Sequence, residues 1–120
     1  MIYKFLGKYS DFLLLPEIDK KSLPSWFGFP IFVKESAPFK RADIVKYLEE
    51  NKIATRTLFG GNLLKHPAYE NIKCRVPWPL KNTDLIMENL FFVGVHPAIK
   101  TEQLKYIKRV FDNFFKNLSC

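Results

Sequence analysis

The sequence has few cysteines and no long apolar run. Its two cysteines, Cys74 and Cys120, are too few and too far apart for a disulfide scaffold or a zinc site, which indicates a reduced, cytoplasmic chain. The apolar run at residues 12–15 is far shorter than the roughly 20 residues that a membrane helix needs. Residues 1–9 also lack the apolar core of a signal peptide. We therefore expect neither export nor a membrane partner.

Motifs that carry chemistry by themselves are missing too. There is no Ser-His-Asp elbow, no glycine-rich dinucleotide motif and no triphosphate-binding loop. His66 and His96 each stand beside a proline, with no carboxylate or cysteine at metal-ligand spacing, so ordinary loop or strand-end histidines are favoured. The sequence therefore predicts no catalytic residue and no metal site in this chain.

Charge of one sign is in excess, with a net charge of +7 and a pI near 9.5. A basic face is the footprint of nucleic-acid binding. Here, however, the lysines are spread along the chain, with only short basic clusters at residues 20–21 and 40–41. No zinc-finger, ribonucleoprotein or helix-turn-helix pattern accompanies them. We expect a solvated, lysine-rich surface and no nucleic-acid partner.

The composition is that of a globular protein. Hydrophobic residues make up 48% of the 120 residues, and twelve of them are phenylalanines, many of which must be buried. A chain of this length can form one domain with a real core. We therefore treat residues 1–120 as a single domain.

Periodicity and turn residues predict a mixture of strands and helices. The predicted helices are the end of a helix within residues 2–9, then 41–51, a short one from 82, 83 or 84 to 89, and a last one that Thr101 caps and that carries an apolar stripe. The predicted strands are 12–15, 26–33 (with Pro30 indicating an edge or a bulge), 53–59 and 90–95. This pattern indicates an α+β fold, loosely an α/β sandwich, with helices on one face of a small, mostly antiparallel sheet.

Several sequence blocks, in fixed order, resemble one protein family over nearly the whole chain. The blocks are PSWFGF (24–29), KIATRTLFGGNL (52–63), PAY (67–69), NTDLIM (82–87) and FFVGVHP (91–97). They resemble the C-terminal region of the DegT/DnrJ/EryC1/StrS sugar aminotransferase and dehydratase family. The most similar branch is that of the CDP-4-keto-6-deoxyglucose 3-dehydratases, which act in lipopolysaccharide O-antigen assembly.

The resemblance implies the small C-terminal domain of an aspartate-aminotransferase-like (fold type I) enzyme. In such enzymes a large domain binds pyridoxal or pyridoxamine phosphate, the small domain closes over a nucleotide-sugar substrate, and the active sites of a homodimer are shared. In the dehydratase branch a histidine replaces the aminotransferase lysine and helps to expel the 3-hydroxyl, while the cofactor acts as electron sink. These functional groups belong to the large domain, so the resemblance implies that this chain alone does not bind the cofactor tightly and is not catalytically complete.

Three hypotheses about function stay open on the sequence. The first is that the chain is part of a nucleotide-sugar 3-dehydratase, and the second is that it is part of a sugar aminotransferase. The third is that it is a non-catalytic interaction module that kept the fold. The chain opens near the end of the helix that links the two domains in the family, so we expect either a fragment of a longer product or the remnant of a split gene.

Within this chain, the loop after the third predicted strand is the candidate substrate-binding element. Arg56 could pair with an anionic group, since a guanidinium recognises carboxylate or phosphate with two parallel bonds. Gly60 and Gly61 would let backbone N–H groups approach a sugar or phosphate, and Asn62 can donate to and accept from hydroxyls. The alternative is that Arg56 makes a structural ion pair and Asn62 holds a left-handed turn.

A second candidate surface precedes the second predicted strand. Ser25, Trp26 and Phe27 are expected at the junction with the large domain, either packing on it or facing the sugar ring. Packing is favoured, because the aromatics that dominate cores also dominate interfaces. Separating the domain should then leave apolar surface through which the isolated chain self-associates.

Overall fold

The computed structural model describes residues 2–118; Met1, Ser119 and Cys120 lie outside the described residues. The helices are α1 (Ile2–Leu6), α2 (Arg41–Glu50), α3 (Lys81–Asn89) and α4 (Thr101–Asn117). The strands are β1 (Leu13–Leu14), β2 (Gly28–Val33), β3 (Thr55–Thr57) and β4 (Leu90–Gly94). Short 3₁₀ turns occupy Gly7–Tyr9, Leu63–Lys65 and Pro67–Tyr69. The predicted α+β class is confirmed.

The four strands form one antiparallel sheet in the order β1-β2-β4-β3. The longest pairing joins β2 to β4, from Gly28 opposite Gly94 to Phe32 opposite Leu90. Pro30 lies in β2, between two neighbours in the strand order, yet β1 pairs only with Phe32 and Val33. The strand is therefore an edge locally at Pro30, which explains how a residue without an N–H is tolerated there.

Alternation along the strands gives the sheet two different faces. The core face carries Phe29, Ile31 and Val33 of β2 together with Phe91 and Val93 of β4, all buried. Helix α4 packs against α1 and α2 to cover this face, and α2 also contacts β3 and β4. The buried residues of α4 are Val110, Phe111, Phe114 and Phe115. The opposite face, called here the outer face, carries Pro30, Phe32 and Phe92, with α3 beside β2 and β4.

Several predicted boundaries were wrong by a few residues. Strand β2 begins at Gly28, so Trp26 and Phe27 precede it, and β3 is limited to Thr55–Thr57. Phe59 cannot extend β3 because its φ is +45°. Lys100, not Thr101, is the N-cap of α4: the Lys100 N–H donates to Gln103 Oε1 at 2.8 Å, and Thr101 is already helical. Propensity locates such elements well but their ends poorly, because tertiary contacts decide where pairing stops.

Candidate functional site

The loop after β3 folds back onto helix α3 through Gly61. This residue has φ +60°, and a Cβ built on it would lie 2.6 Å from Met87 Cγ. A side chain at this position would therefore meet both backbone strain and a steric clash. Glycine is required here because the loop and α3 approach each other so closely.

Asn62 is almost fully buried, with 6% of its surface exposed. Its Nδ2 donates to Asp84 Oδ1 at 2.7 Å, and its Oδ1 accepts from the Leu64 N–H at 3.1 Å. Its own backbone N–H points to Met87 Sδ at 3.4 Å. Asn62 therefore fastens the loop to α3. Its φ of −82° shows that Asn62 is not itself left-handed, as the alternative stated; that conformation belongs to Gly61.

Asp84 is the anchor on the helix side of this contact. It accepts from Asn62, and Lys65 Nζ lies 3.1 Å from the same Oδ1. The hydrogen bond from Asn62, followed by that from Lys65, lowers the pKa of the Asp84 carboxyl. The carboxylate form is thus the one that holds the loop at neutral pH.

A small pocket of about 180 Å³ lies between this loop and α3. Its lining includes Gly60, Gly61, His66, Met87 and the half-buried Arg41 of α2. His66 Nε2 is hydrogen-bonded to the Gly60 carbonyl oxygen, which closes the loop on itself. The pocket thus joins a guanidinium, an imidazole and glycine backbone, a combination suited to an anionic or hydroxylated ligand.

Arg41 has a structural task as well. Its Nη1 donates to the carbonyl oxygens of Met87 and Leu90, at 3.1 and 3.2 Å, where α3 ends. A cation at this end of a helix is favourable, because the last carbonyls have no partner within the helix. Sequence patterns gave no signal for its place in the pocket, because Arg41 lies far from the loop along the chain.

Arg56 lies at the exposed edge strand β3, directly opposite Phe92 in the register, so the two share the outer face. Its Nη1 donates to the Thr55 carbonyl oxygen at 2.9 Å. Within residues 2–118 no carboxylate lies within 4.0 Å of its guanidinium, so the alternative of a structural ion pair finds no partner there. The neighbouring Glu49 instead accepts from the Thr55 hydroxyl at 2.8 Å.

An exposed aromatic patch, formed by Phe27, Phe59 and Phe92, lies on the outer face. The Phe27 ring, on a residue that is 78% exposed, has its centroid 5.8 Å from that of Phe92 and 6.4 Å from that of Phe59. Gly28 lies under Phe92, so close that a Cβ there would be 2.3 Å from the ring. Of the other junction candidates, Trp26 packs on Phe29 with centroids 5.8 Å apart, and Ser25 is exposed.

An apolar groove of about 470 Å³ lies on the same outer face, between β1, β2 and α3. Its lining includes Leu14, Pro30, Phe32, Ile86 and Leu90. Leu14 is 55% exposed and Ile86 is 36% exposed, although both are apolar. The outer face therefore carries apolar surface that the described residues leave uncovered.

The described residues contain no cluster for a metal ion, and the small pocket beside Gly60 and Gly61 does not fit an intact cofactor. Across residues 2–118 there is no group of three or more histidine, cysteine, aspartate or glutamate side chains that could hold an ion. Pyridoxal phosphate is held through a lysine Schiff base and by an aspartate or arginine at its pyridine nitrogen, and neither a lysine nor a carboxylate lines the pocket beside Gly60 and Gly61. This pocket does not fit that cofactor. Over the same range, no helix is both long and apolar enough to cross a bilayer.

Comparison with known proteins shows one family over most of the chain. The model of the DegT/DnrJ/EryC1/StrS aminotransferase family matches residues 4–112. The chain is 49% identical to the lipopolysaccharide biosynthesis protein RfbH of Salmonella typhimurium over 92% of its length, and 44% identical to the dTDP-4-dehydro-2,6-dideoxy-D-glucose 3-dehydratase of Saccharopolyspora spinosa over 79%. It covers 25% and 21% of those two proteins, respectively.

A solved structure of a 3-dehydratase has the same fold over most of this chain. The Escherichia coli GDP-4-keto-6-deoxy-D-mannose-3-dehydratase with bound hydrated PLP is 26% identical and superposes with a TM-score of 0.73. The match covers 91% of this chain and 28% of that one. The small antiparallel sheet with its helices is therefore the fold of one part of a fold type I enzyme. The chain spans about a quarter of the length of the proteins that it matches.

Proposed function

The chain belongs to the DegT/DnrJ/EryC1/StrS aminotransferase family, and from that premise we propose that it is the C-terminal part of a nucleotide-sugar 3-dehydratase dependent on pyridoxal or pyridoxamine phosphate. The pathway proposed is deoxysugar synthesis for lipopolysaccharide O-antigen. The 49% identity to the Salmonella lipopolysaccharide protein carries this proposal. Two further relatives, one named as a dTDP-sugar 3-dehydratase and one as a GDP-sugar 3-dehydratase, support it.

In this proposal the cofactor lies on the large domain, which corresponds to the part of the relatives that this chain does not cover. The E. coli dehydratase carries bound PLP and matches the chain over only 28% of its own length. The lining of the loop pocket contains neither a lysine nor a carboxylate. We therefore expect no tight cofactor binding and no turnover by the chain alone, and a cytoplasmic homodimer for the complete enzyme.

The substrate-binding role is assigned to the loop after β3. Arg56 would bind an anionic part of the substrate, since its guanidinium is exposed and only Nη1 has a partner in the hydrogen bonds described above. Gly60 and Gly61 would offer backbone groups beside the small pocket. Asn62 has both polar side-chain atoms engaged, so its contribution to binding would be to hold the loop on α3.

The aromatic patch on the outer face would pack against the large domain. Phe27 and its neighbours Trp26 and Ser25 lie just before β2, and the apolar groove continues the same face. Covering these rings would remove apolar surface from water, at about 25 cal/mol per Å². Packing on the large domain thus explains a surface that is costly for an isolated chain.

Two other functions are compatible with the same fold. A sugar aminotransferase would differ at the lysine or histidine of the large domain. A non-catalytic module would bind a partner without supporting turnover. The names of the curated relatives favour the dehydratase, because two of the three are 3-dehydratases.

A chimera tests the proposal directly. Residues 4–112 of this chain would replace the matching region of the Salmonella protein, and the dehydration of CDP-4-keto-6-deoxyglucose would be measured. We expect a folded chimera that retains turnover. Arg56→Ala should lower kcat/KM by about ten- to a hundredfold, the range expected for a hydrogen bond to a charged group.

Lys105→Ala, at an exposed position of α4, is the matched control and should leave kcat and KM unchanged. A chimera that folds and binds cofactor but shows no turnover would favour the non-catalytic module. Arg56→Ala with unchanged kcat and KM would remove Arg56 from the substrate site.

A further inference from the structure

A second depression, of about 400 Å³, lies between helix α2 and the edge strand β3. Three cationic side chains line it: Arg41 and Lys46 from α2, and Arg56 from β3. No carboxylate of the described residues lines it. Three like charges around one opening repel one another unless an anion is present, so the arrangement favours an anionic ligand.

The nearest acidic side chains on α2 are turned toward other partners. Glu49 Oε1 accepts from both the N–H and the hydroxyl of Thr55, at 2.5 and 2.8 Å. Asp43 Oδ2 accepts from the Lys40 N–H at 2.8 Å, at the start of the helix. The Thr55 hydrogen bonds, with a smaller contribution from the Arg56 charge, lower the pKa of Glu49. Within residues 2–118, neither carboxylate forms an ion pair with a cation of the depression.

Two of the three cations are held in place by the backbone. Arg41 Nη1 donates to the Met87 and Leu90 carbonyls, and Arg56 Nη1 donates to the Thr55 carbonyl. A guanidinium has five N–H donors, so each keeps others for a ligand. Anchoring one side of each guanidinium reduces the side-chain entropy that is lost when an anion binds.

The depression adjoins the loop pocket, because Arg41 and Thr57 line both. Gly60 and Gly61 line the loop pocket, so a ligand long enough to span both pockets would lie beside their backbone. A nucleotide sugar has this shape: a diphosphate with two negative charges, joined directly to a sugar ring.

Resting on the function proposed above, we infer that Arg41, Lys46 and Arg56 form the binding site for the diphosphate group of the nucleotide-sugar substrate. The sugar then extends into the pocket beside Gly60 and Gly61. Arg41 lines the loop pocket, but neither it nor Lys46 was assigned a substrate contact above, and the two extend the substrate site from the loop onto α2.

Anion binding by the 120-residue chain itself tests this assignment without any turnover. Inorganic pyrophosphate is titrated by calorimetry at low ionic strength, and inorganic phosphate is the comparison. We expect pyrophosphate to bind at least about tenfold more tightly than phosphate, because it can engage several cations at once. Raising the salt concentration should weaken binding, because the site is open to solvent.

Variants locate the site. Lys46→Gln should weaken pyrophosphate binding about threefold and Arg56→Gln about tenfold, whereas Lys105→Gln on α4 should leave it unchanged. Lys46 and Arg56 are exposed, so these changes should not disturb folding, which thermal melting verifies. Arg41 is not substituted, because it also anchors α3.

Two results would overturn the inference. One is equal affinity for pyrophosphate and phosphate, which would indicate a phosphate monoester site. The other is the absence of pyrophosphate binding by the unsubstituted chain, or binding that neither Lys46→Gln nor Arg56→Gln weakens. Since no turnover is measured, a chimera that works as a dehydratase while this titration fails would reject only the diphosphate site. The reverse result would reject only the dehydratase function.

Discussion

Asp112 on α4 joins the beginning of the chain to its last helix. Tyr9 Oη donates to Asp112 Oδ1 at 2.8 Å, and Lys8 Nζ lies 2.8 Å from the same oxygen. Lys108, one turn earlier on α4, lies 2.7 Å from Oδ2. The Tyr9 ring also stacks on Phe115, with the centroids 3.7 Å apart. We predict that Asp112→Asn destabilises the fold, because three donors then lose an anionic acceptor.

The size of the effect follows from the pKa of Asp112. Burial alone would raise it, but hydrogen bonds from Lys108, Lys8 and Tyr9 outweigh burial and lower it from 3.8 to about 2. That difference corresponds to at most roughly 2.5 kcal/mol of stability at neutral pH. Both lysine side chains are 49% exposed, so solvent screening reduces the expected loss to about 1–2 kcal/mol.

The pH dependence has a definite sign. A carboxyl with a depressed pKa stabilises the folded state above its ordinary pKa near 3.8, and this stabilisation is lost as the pH falls toward 2. The free energies of unfolding of wild type and Asp112→Asn in urea should therefore differ most above pH 5, and the difference should shrink below pH 4 and vanish near pH 2. Asp11→Asn, at an exposed position, is the control and should behave like wild type. A constant difference across this pH range, or none at pH 7, would refute the reasoning.

Two further predictions concern the loop and the aromatic patch. Gly61→Ala should lower the free energy of unfolding by about 1–3 kcal/mol, because it combines a left-handed φ with a clash against Met87. Gly94→Ala is the control, because a Cβ there meets nothing within 4 Å. Equal losses of stability for the two variants in urea denaturation would contradict the prediction. In sedimentation velocity the isolated chain should self-associate, and Phe27→Ser should weaken that association about tenfold or more by removing a 78% exposed ring. Leu23→Ser, at a fully exposed leucine, serves as the control, and a monodisperse wild-type monomer at high concentration would count against the patch.

The resemblance and the periodicity predicted most of the fold correctly. The apolar stripe of α4 includes Phe111 and Phe114, which the structure buries, and all four predicted strands have counterparts in the sheet. The ends of the strands and helices were harder to predict. Trp26 and Phe27 have the composition of a strand, but pairing begins at Gly28, where glycine lets the Phe92 ring lie against the backbone.

The candidate site was only partly predictable. The residues at 60–62 were correctly singled out as a tight loop, because glycine and asparagine there indicate unusual backbone geometry. The division of tasks between Gly61 and Asn62 depends on contacts with Asp84 and Met87, more than twenty residues further along the chain. No local pattern carries that information.

The sequence by itself determined the class of fold and the family, because propensity, alternation and several matched blocks are properties of neighbouring residues. Only the tertiary structure decided which side chains meet. It brought Arg41 of α2 to the end of α3 and to the loop pocket, and it gathered Lys46 and Arg56 around the same opening. The physical reason is that charge clusters and pockets depend on distances in space. Packing of α2 against the edge of the sheet, rather than spacing along the chain, sets those distances.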